Sequence, residues 1–462
     1  MASLDELKTL LEGALKKVDT LEAEVATLRA ENAKLRERVS ELENELVQEQ
    51  RKGKRQAAPF RRRERKPKSE HKPSGRRPGH DPARRMEPPQ VDQTVQTPLG
   101  KCCPGCGGCL VDWAEHVHYV VDIPPVIPVV VAHTTESATC SGCGQRWNSQ
   151  PAELPSTATG AAGVMLGHRA AALATQMRTQ LGAPLRKIAA YFTQVFGLPI
   201  SHGGVLGLLK RANKALEPTH SHLIEQLRKS SGVCVDETGW RMANESAWAW
   251  VFTSSNTTCY VINKGRDHGV VLSLLGSDFD GVLQSDCFLA YLPLPYKKAK
   301  CLAHILKALK ELEALQTEDD VGFSRDSIAL LKEAIGLERQ REKTSPEVYS
   351  ILCRGLENRL DQLLAREFTD SMNLKLAKRL RRYRDEWFVF LYNEDVEPTN
   401  NQAERQIRPF VLQRKISAGN RSEWGAGLQA RIMSVFSTAA QRGLSFIDLL
   451  VKALAEPQAA HL

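Results

Sequence analysis

The sequence predicts a multidomain α+β protein, and three observations carry that prediction. A seven-residue apolar repeat fills the first 46 residues, two Cys-x-x-Cys pairs bracket a β-prone stretch, and beyond residue 160 helical patterns alternate with apolar runs that lead into aspartates. The 462 residues leave room for two or three domains at ~150 residues each.

From Leu4 to Leu46 one seam column reads Leu4, Leu11, Val18, Val25, Asn32, Val39 and Leu46, and the other reads Leu7, Ala14, Leu21, Leu28, Leu35 and Leu42. Heptads sustained this far predict a coiled coil over residues 1–50. Val at the first column with Leu at the second favours two parallel strands, and Asn32 sets the register at some cost in stability. The bland alternative is an amphipathic helix packed on its own protein.

The chain carries 63 basic and 54 acidic residues, a net +9. Between Arg51 and Met86 fifteen Lys or Arg stand against three acids, so this one segment holds more than the whole excess and the remainder is slightly acidic. Rich in Pro, Gly and like charge, residues 51–95 predict a linker without a core. Arg61, Arg62 and Arg63 make it a candidate phosphate-binding arm as well as a solvated tether.

Eleven cysteines would suggest disulfides in an exported protein. "MASLDELKTL" has neither a basic nor an apolar leader pattern, and no apolar run reaches the ~18 residues of a membrane span, so the expectation is a reducing cytoplasm and no membrane. Paired cysteines there point to metal. The pairs Cys103/Cys106 and Cys140/Cys143 are each followed by Gly and suit a structural four-cysteine zinc ribbon over residues 96–155, with β-structure around the apolar run "VVDIPPVIPVVVAH". Cys106 with Cys109 is a competing first pair, and Cys102 and His133 are weaker ligands.

Residues 156–230 read as helical. "PLRKIAAYFTQVFGLPISHGGVLGLLKRANKAL" has a turn at Gly197-Leu198-Pro199, Ser201 as N-cap and Lys210 and Arg211 on the second helix, the outline of a helix-turn-helix that plain helical packing would also explain.

"GVCVDETGWR" runs an apolar strand into Asp236 and Glu237; "AWAWVFTSS" and "TTCYVINKGR" add two more strands, for an antiparallel meander. "HGVVLSLLG" reads as a helix, and "GVLQSDCFLAY" repeats the first pattern with Asp286. Two strands that each finish on an aspartate bring both carboxylates to one sheet edge, which suits a divalent metal. Glu237 points to the opposite face and is expected to make a structural salt bridge. A third acid comes from "EPTNNQAERQIRPFVLQRKISAGNRSEWGA". Thr399 and Gln402 form an expected capping box, Glu404 falls in the first turns, and Pro409 is expected to bend or end the helix. Arg405, Arg408, Arg414, Lys415 and Arg421 surround that acid with phosphate-binding groups. His304 in "KCLAHILK" reads as a satisfied helix histidine, or as a group that assists a metal ligand.

The order coiled coil, cysteine ribbon, helical segment, "VDETGWR", "SDCFLAY", "CLAHILK" and "NNQAERQIRPFVLQRKISAGNRSEWGA" resembles the insertion-sequence sixty-six (TnpC-type) transposases over almost the whole chain. Cys287 and Lys307 depart from that family's commoner Gly and Arg. The resemblance implies a DDE catalytic core of RNase H-like fold, with Asp236, Asp286 and Glu404 as its acids. It also implies a helical insertion, placed at residues 307–395 between core segments 231–306 and 396–462. Such a core uses two Mg²⁺ (or Mn²⁺) ions ~3.5–4 Å apart, held by hard oxygen ligands. The expected partners are the element's terminal inverted repeats, target DNA, and further copies of the chain as a coiled-coil dimer or higher oligomer. Accessory proteins encoded by the same element are a further partner class, and the nucleoid is the expected setting. Two rivals are a non-catalytic DNA-binding regulator and an RNase H-like nuclease that cleaves without joining.

Overall fold

The structure, a computed structural model, describes residues 86–149, 165–314, 321–368 and 370–456, with Lys17, Leu21 and further residues up to Leu35. The remaining heptad positions and Arg61, Arg62 and Arg63 lie outside the described residues. The chain divides into two compact units, Met1–Asp122 and Ile123–Leu462. Among the described residues no helix is long and apolar enough to cross a membrane.

In the first unit Leu21, Val25, Leu28 and Leu35 are helical and exposed, so these expected seam residues are presented outward on a single chain. The first cysteine knuckle is a tight turn. The Cys103 N–H donates to Gly108 O at 2.8 Å and the Gly107 N–H to Cys103 O at 2.9 Å, while Cys102 and Cys109 bridge across its base. The second unit repeats that pattern: the Cys140 N–H donates to Gln145 O and the Gly144 N–H to Cys140 O, both at 2.9 Å. Gly107 and Gly144 take φ of 75° and 72°, a conformation that costs glycine little. Backbone N–H groups of Gly105 and Cys106 lower the Cys103 thiol, and those of Cys143 and Gly142 lower Cys140, which readies both sulfurs for a cation.

The second knuckle lies between β1 (Ser137–Thr139) and β2 (Arg146–Asn148), an antiparallel pair. The strand expected in residues 120–133 does not form: those residues have no regular structure and stay largely exposed. Pro124, Pro125 and Pro128 remove the N–H donors that a ladder needs.

Four helices follow: α1 (His168–Gln180), α2 (Leu185–Phe196), α3 (His202–Ala215) and α4 (Glu217–Arg228). The expected turn joins α2 to α3, and the Ser201 hydroxyl caps α3 by accepting from the Gly204 N–H at 3.0 Å. Val205, Leu208, Leu209 and Ala212 bury α3 within the unit. Arg211 donates to Leu166 O at 2.9 Å and is therefore engaged in packing, whereas Lys210 is exposed and lies over the Trp424 ring.

The sheet is built from β3 (Gly232–Met242), β4 (Glu245–Thr253), β5 (Thr258–Asn263), β6 (Val282–Ser285) and β7 (Lys297–Lys300), in the order β5-β4-β3-β6-β7. The expected meander β3-β4-β5 is antiparallel, and β6 and β7 are parallel to β3. Helix α5 (His268–Leu275) connects β5 to β6. β3 does not end at Asp236 as expected: Thr238-Gly239 continues the ladder opposite Ala249 and Trp248, because strand-wide pairing with β4 outweighs a local turn signal. The strand β7 has no such apolar signal in the sequence, since it reads Lys-Lys-Ala-Lys.

Side chains alternate across this sheet. Val233, Val235, Trp250 and Phe252 face one core with α4 and α5, and Cys234, Trp240, Ala249 and Val251 face another. The second core is closed by α10 (Asn401–Ser417) and α11 (Glu423–Gln441), through Ala403, Ile407, Phe410 and Met433. Helix α11 also covers the edge strand. The Thr258 N–H donates to the Thr438 hydroxyl and the Tyr260 N–H to the Ser434 hydroxyl, satisfying groups that an open edge would leave free. The last helix, α12 (Phe446–Ala455), packs against α1 and α3.

Between β7 and α10 stand α6 (Leu302–Glu313), α7 (Gly322–Glu338), α8 (Pro346–Ala365) and α9 (Ser371–Arg382), around Leu309, Leu331, Cys353, Leu360 and Trp387. These four helices fall where a helical insertion is expected, and α6 begins at Leu302, so residue 307 lies within it.

Phe410 is fully buried, with its ring 5.2 Å from Trp240 and 4.8 Å from Tyr260. Phe410→Ala is expected to cost ~3–5 kcal/mol, read as a lower urea midpoint at unchanged slope.

Candidate active site

Register and parity assemble the site. In the parallel pair of β3 and β6, Cys234 stands opposite Gln284, and the Cys234 thiol donates to Gln284 Oε1 at 3.0 Å, so both side chains share a face. Two residues further along each chain come Asp236 and Asp286, at the carboxyl end of β6 and on the face that α10 covers. Asp236 Oδ1 accepts from the Glu237 N–H and Asp286 Oδ1 from the Phe288 N–H, each at 2.9 Å. Each carboxylate is thereby oriented by one backbone donor.

Glu404 lies in the first turn of α10, exposed at the end of the helix nearest the aspartates. The helix starts where expected, yet by another device than the Thr399–Gln402 box. Asn400 is buried and donates its Nδ2 to Val235 O at 2.8 Å, while Gln402 Nε2 donates to Ser254 O. Both amides are drawn to backbone oxygens of β3 or of the loop after β4, which anchors α10 instead of capping it. Pro409 does not end the helix, which continues to Ser417; the buried series Ala403, Ile407, Phe410, Gln413 holds it on the sheet past the missing N–H.

The acids feel one another. Burial, then Glu237, with Asp286 and Glu404 adding, pushes the Asp236 carboxyl up to about 7 against the lowering effect of the Glu237 N–H. Glu237, of opposite parity, is buried on the other face. Arg266 pairs with its Oε1 at 2.8 Å, and the Tyr291 hydroxyl donates to its Oε2 at 2.6 Å. The expected structural salt bridge is present, and the Arg266 guanidinium lies 4.0 Å over Trp248 and 4.1 Å over Phe288.

His304, read above chiefly as a helix residue, joins the site. It sits in the first turn of α6 with Nε2 3.9 Å from Glu404 Oε1. A hydrogen bond to Cys301, with Cys301, Asp286 and Glu404 adding, raises its imidazole to about 9 in spite of desolvation. The spacing Cys301-x-x-His304 was the available signal; its convergence on Glu404 depends on the Leu302 N–H donating to Pro398 O at 2.9 Å.

Of the basic residues along α10 and the segment after it, Arg405, Arg408, Lys415 and Arg421 are exposed, with Lys415 and Arg421 at the end of the helix away from Glu404. Arg414 is not free: it donates to Thr238 Oγ1 at 3.2 Å and to Gly239 O, and so holds α10 on β3.

Lys300 was not foreseen. Its ammonium is buried at the end of β7, 3.0 Å from Ser285 Oγ and 3.4 Å from Glu386 Oε2, with the Tyr383 ring at 4.9 Å. Desolvation lowers its pKa, against Glu386, Cys287 and Asp286. The Tyr383 hydroxyl donates to Cys287 O at 3.2 Å, so insertion and Asp286 loop are joined at two points. Lys300→Met should therefore cost about 3 kcal/mol by stranding Glu386, and Lys300→Met/Glu386→Gln should recover most of it, in a double-mutant cycle of denaturation midpoints.

In metal-free protein Asp236 keeps a proton that the unfolded chain releases near 3.8. Stability from this group is thus present below that value and lost as pH rises through about 7. Asp236→Asn should raise the melting temperature at pH 8 in chelator by several degrees, at roughly 2–4 °C per kcal/mol, with the gain vanishing near pH 4. An equal change at both pH values would contradict the assignment.

A family model described as "Transposase IS66 family" matches residues 163–428, more than half of the chain and including Asp236, Asp286, His304 and Glu404. The uncharacterized protein y4qI of Sinorhizobium fredii (strain NBRC 101917 / NGR234) is 23% identical over 312 residues, 59% of this chain. The chain covers 56% of that relative's length. The chain belongs to the IS66 family of transposases.

Proposed function

We propose that this transposase is a DDE-type enzyme that cleaves DNA at the ends of its insertion sequence and joins the released 3′ ends to target DNA. The reading is supported by electrostatics: Asp236 on β3, Asp286 just beyond the neighbouring β6 and Glu404 on the covering helix lie near enough for the latter two to raise the first. The strand order β5-β4-β3-β6-β7 supports the RNase H-like assignment.

The residues fit the divalent ions that such a core requires. Three carboxylates offer hard oxygen ligands, and their mutual repulsion favours a cation among them. Asp236, Asp286 and Glu404 would hold Mg²⁺ or Mn²⁺, which when bound activates the attacking oxygen and stabilises the departing one. The protein's own part is positional. The Glu237 and Phe288 N–H groups aim the two aspartates, Asn400 and Arg414 hold α10 to β3, and Glu237 is kept out of the site by Arg266 and Tyr291. Arg405, Arg408, Lys415 and Arg421 would grip phosphates along the incoming strand. Hydrolysis leaves a 3′-hydroxyl at the element end, and that hydroxyl then displaces a 3′-oxygen in the target, so no bond to protein is needed.

The heptad helix would pair two protomers, as synapsis of two element ends requires. Cys103 with Cys106, and Cys140 with Cys143, would each supply thiolates to structural Zn²⁺, with the knuckles, basic linker and helices α1–α4 serving DNA binding. The setting of such a reaction is the cytoplasm, at the nucleoid.

With labelled element-end DNA and Mg²⁺, Glu404→Gln, Asp236→Asn and Asp286→Asn should each lower cleavage by on the order of 10³-fold, as the loss of several kcal/mol of metal-assisted stabilisation implies. Equal cleavage by variants and parent would remove the assignment and favour a non-catalytic DNA-binding protein. Cleavage without a joined product would mark a nuclease.

A further inference from the structure

Glu404 has a second set of neighbours. Cys301 precedes α6 and is almost fully buried, His304 lies one turn on, and the ligand atoms of Cys301, His304 and Glu404 all fall within 4.8 Å of one another. The grouping is held from both sides by backbone. The Cys301 N–H donates to Ser285 O at 3.0 Å, the Asn400 N–H to Cys301 Sγ at 3.1 Å, and the Leu302 N–H to Pro398 O at 2.9 Å. The beginnings of α6 and α10 are therefore fixed to each other, with a thiol and an imidazole facing the carboxylate of the opposite helix.

This donor set differs in kind from the three carboxylates. A thiolate, an imidazole and a carboxylate with a fourth position open to solvent suit a tetrahedral zinc ion, whereas Mg²⁺ takes oxygen ligands and gains nothing from sulfur. His304 and Glu404 are each about half exposed, at 48% and 46%, so an ion has an entry path. Because Glu404 belongs to both groupings, its carboxylate serves only one cation arrangement at a time.

We propose that Cys301, His304 and Glu404 form a soft-cation site that takes Zn²⁺ and, by drawing Glu404 away from Asp236 and Asp286, inhibits the magnesium-dependent reaction. The binding half stands on the donor geometry; the inhibitory half rests on the proposed DDE reading.

The test uses the full-length chain, with Co²⁺ as the spectroscopic probe and Zn²⁺ as the inhibitor. Parent protein should bind one more Co²⁺ per chain than Cys301→Ser, with a matching thiolate-to-cobalt absorption that the variant lacks. Zn²⁺ added over excess Mg²⁺ should inhibit element-end cleavage by the parent at ~10-fold lower concentration than cleavage by Cys301→Ser. His304→Ala makes the same comparison if Cys301→Ser does not fold. Equal Co²⁺ stoichiometry with equal zinc sensitivity would overturn the proposal. Cobalt binding that depends on Cys301 in a protein with no Mg²⁺-supported cleavage would keep the site and discard the DDE reading. Cleavage without that binding would do the reverse.

Discussion

Carboxylates drawn to one face of the sheet, with Asp236 largely buried and Glu404 exposed, form the constraint around which the second unit is organised. Parallel pairing of β3 with β6 puts Asp236 and Asp286 on one face, and α10 adds Glu404 to it. Like charges so placed oppose folding in a protein whose net stability is of order 5–15 kcal/mol. The fold answers with parity and anchoring. Glu237, the residue after Asp236, would add a fourth charge, but strand alternation sends it to the opposite face, where Arg266 and Tyr291 neutralise and bind it.

Holding α10 against this repulsion falls to polar bonds as much as to apolar packing. Asn400, Gln402 and Arg414 all reach backbone oxygens of the sheet or of the loop after β4, and Phe410 wedges between Trp240 and Tyr260. The insertion is tied to the same place by a different means. Lys300, buried at the end of the lysine-rich strand β7, bridges Ser285 and Glu386, so the loop that carries Asp286 rests on the core shared by the helices between β7 and α10. Burial of an ammonium is tolerated there because a carboxylate and two aromatic faces compensate it.

Most elements of the second unit were legible in the residues. The meander, the helix at Asp267, the Ser201 cap and the opposite facing of Glu237 follow from alternation, capping chemistry and period, all of them local. Elsewhere local signals gave way to tertiary ones. Thr238-Gly239 is strand because β4 pairs with it, Pro409 is helix because the face on either side of it is buried, and the Thr399–Gln402 box is replaced by bonds to the sheet. The run at 120–133 shows the converse: apolar and β-prone, it forms no strand because its prolines withhold donors.

The sequence by itself determined which residue types were available for chemistry: three acids of matching context, two cysteine knuckles, a heptad seam and a basic segment. Only the tertiary structure decided which of them meet. Asp236 and Asp286 are fifty residues apart in the chain and Glu404 more than a hundred beyond, and no periodicity measures the distance between them. Strand register, the face that α10 covers, and the junction of α6 with α10 bring them together, and the same junction adds Cys301 and His304. The reason is physical: propensity and capping act over a turn or a strand, whereas a site drawn from separate elements exists only once packing has fixed their register.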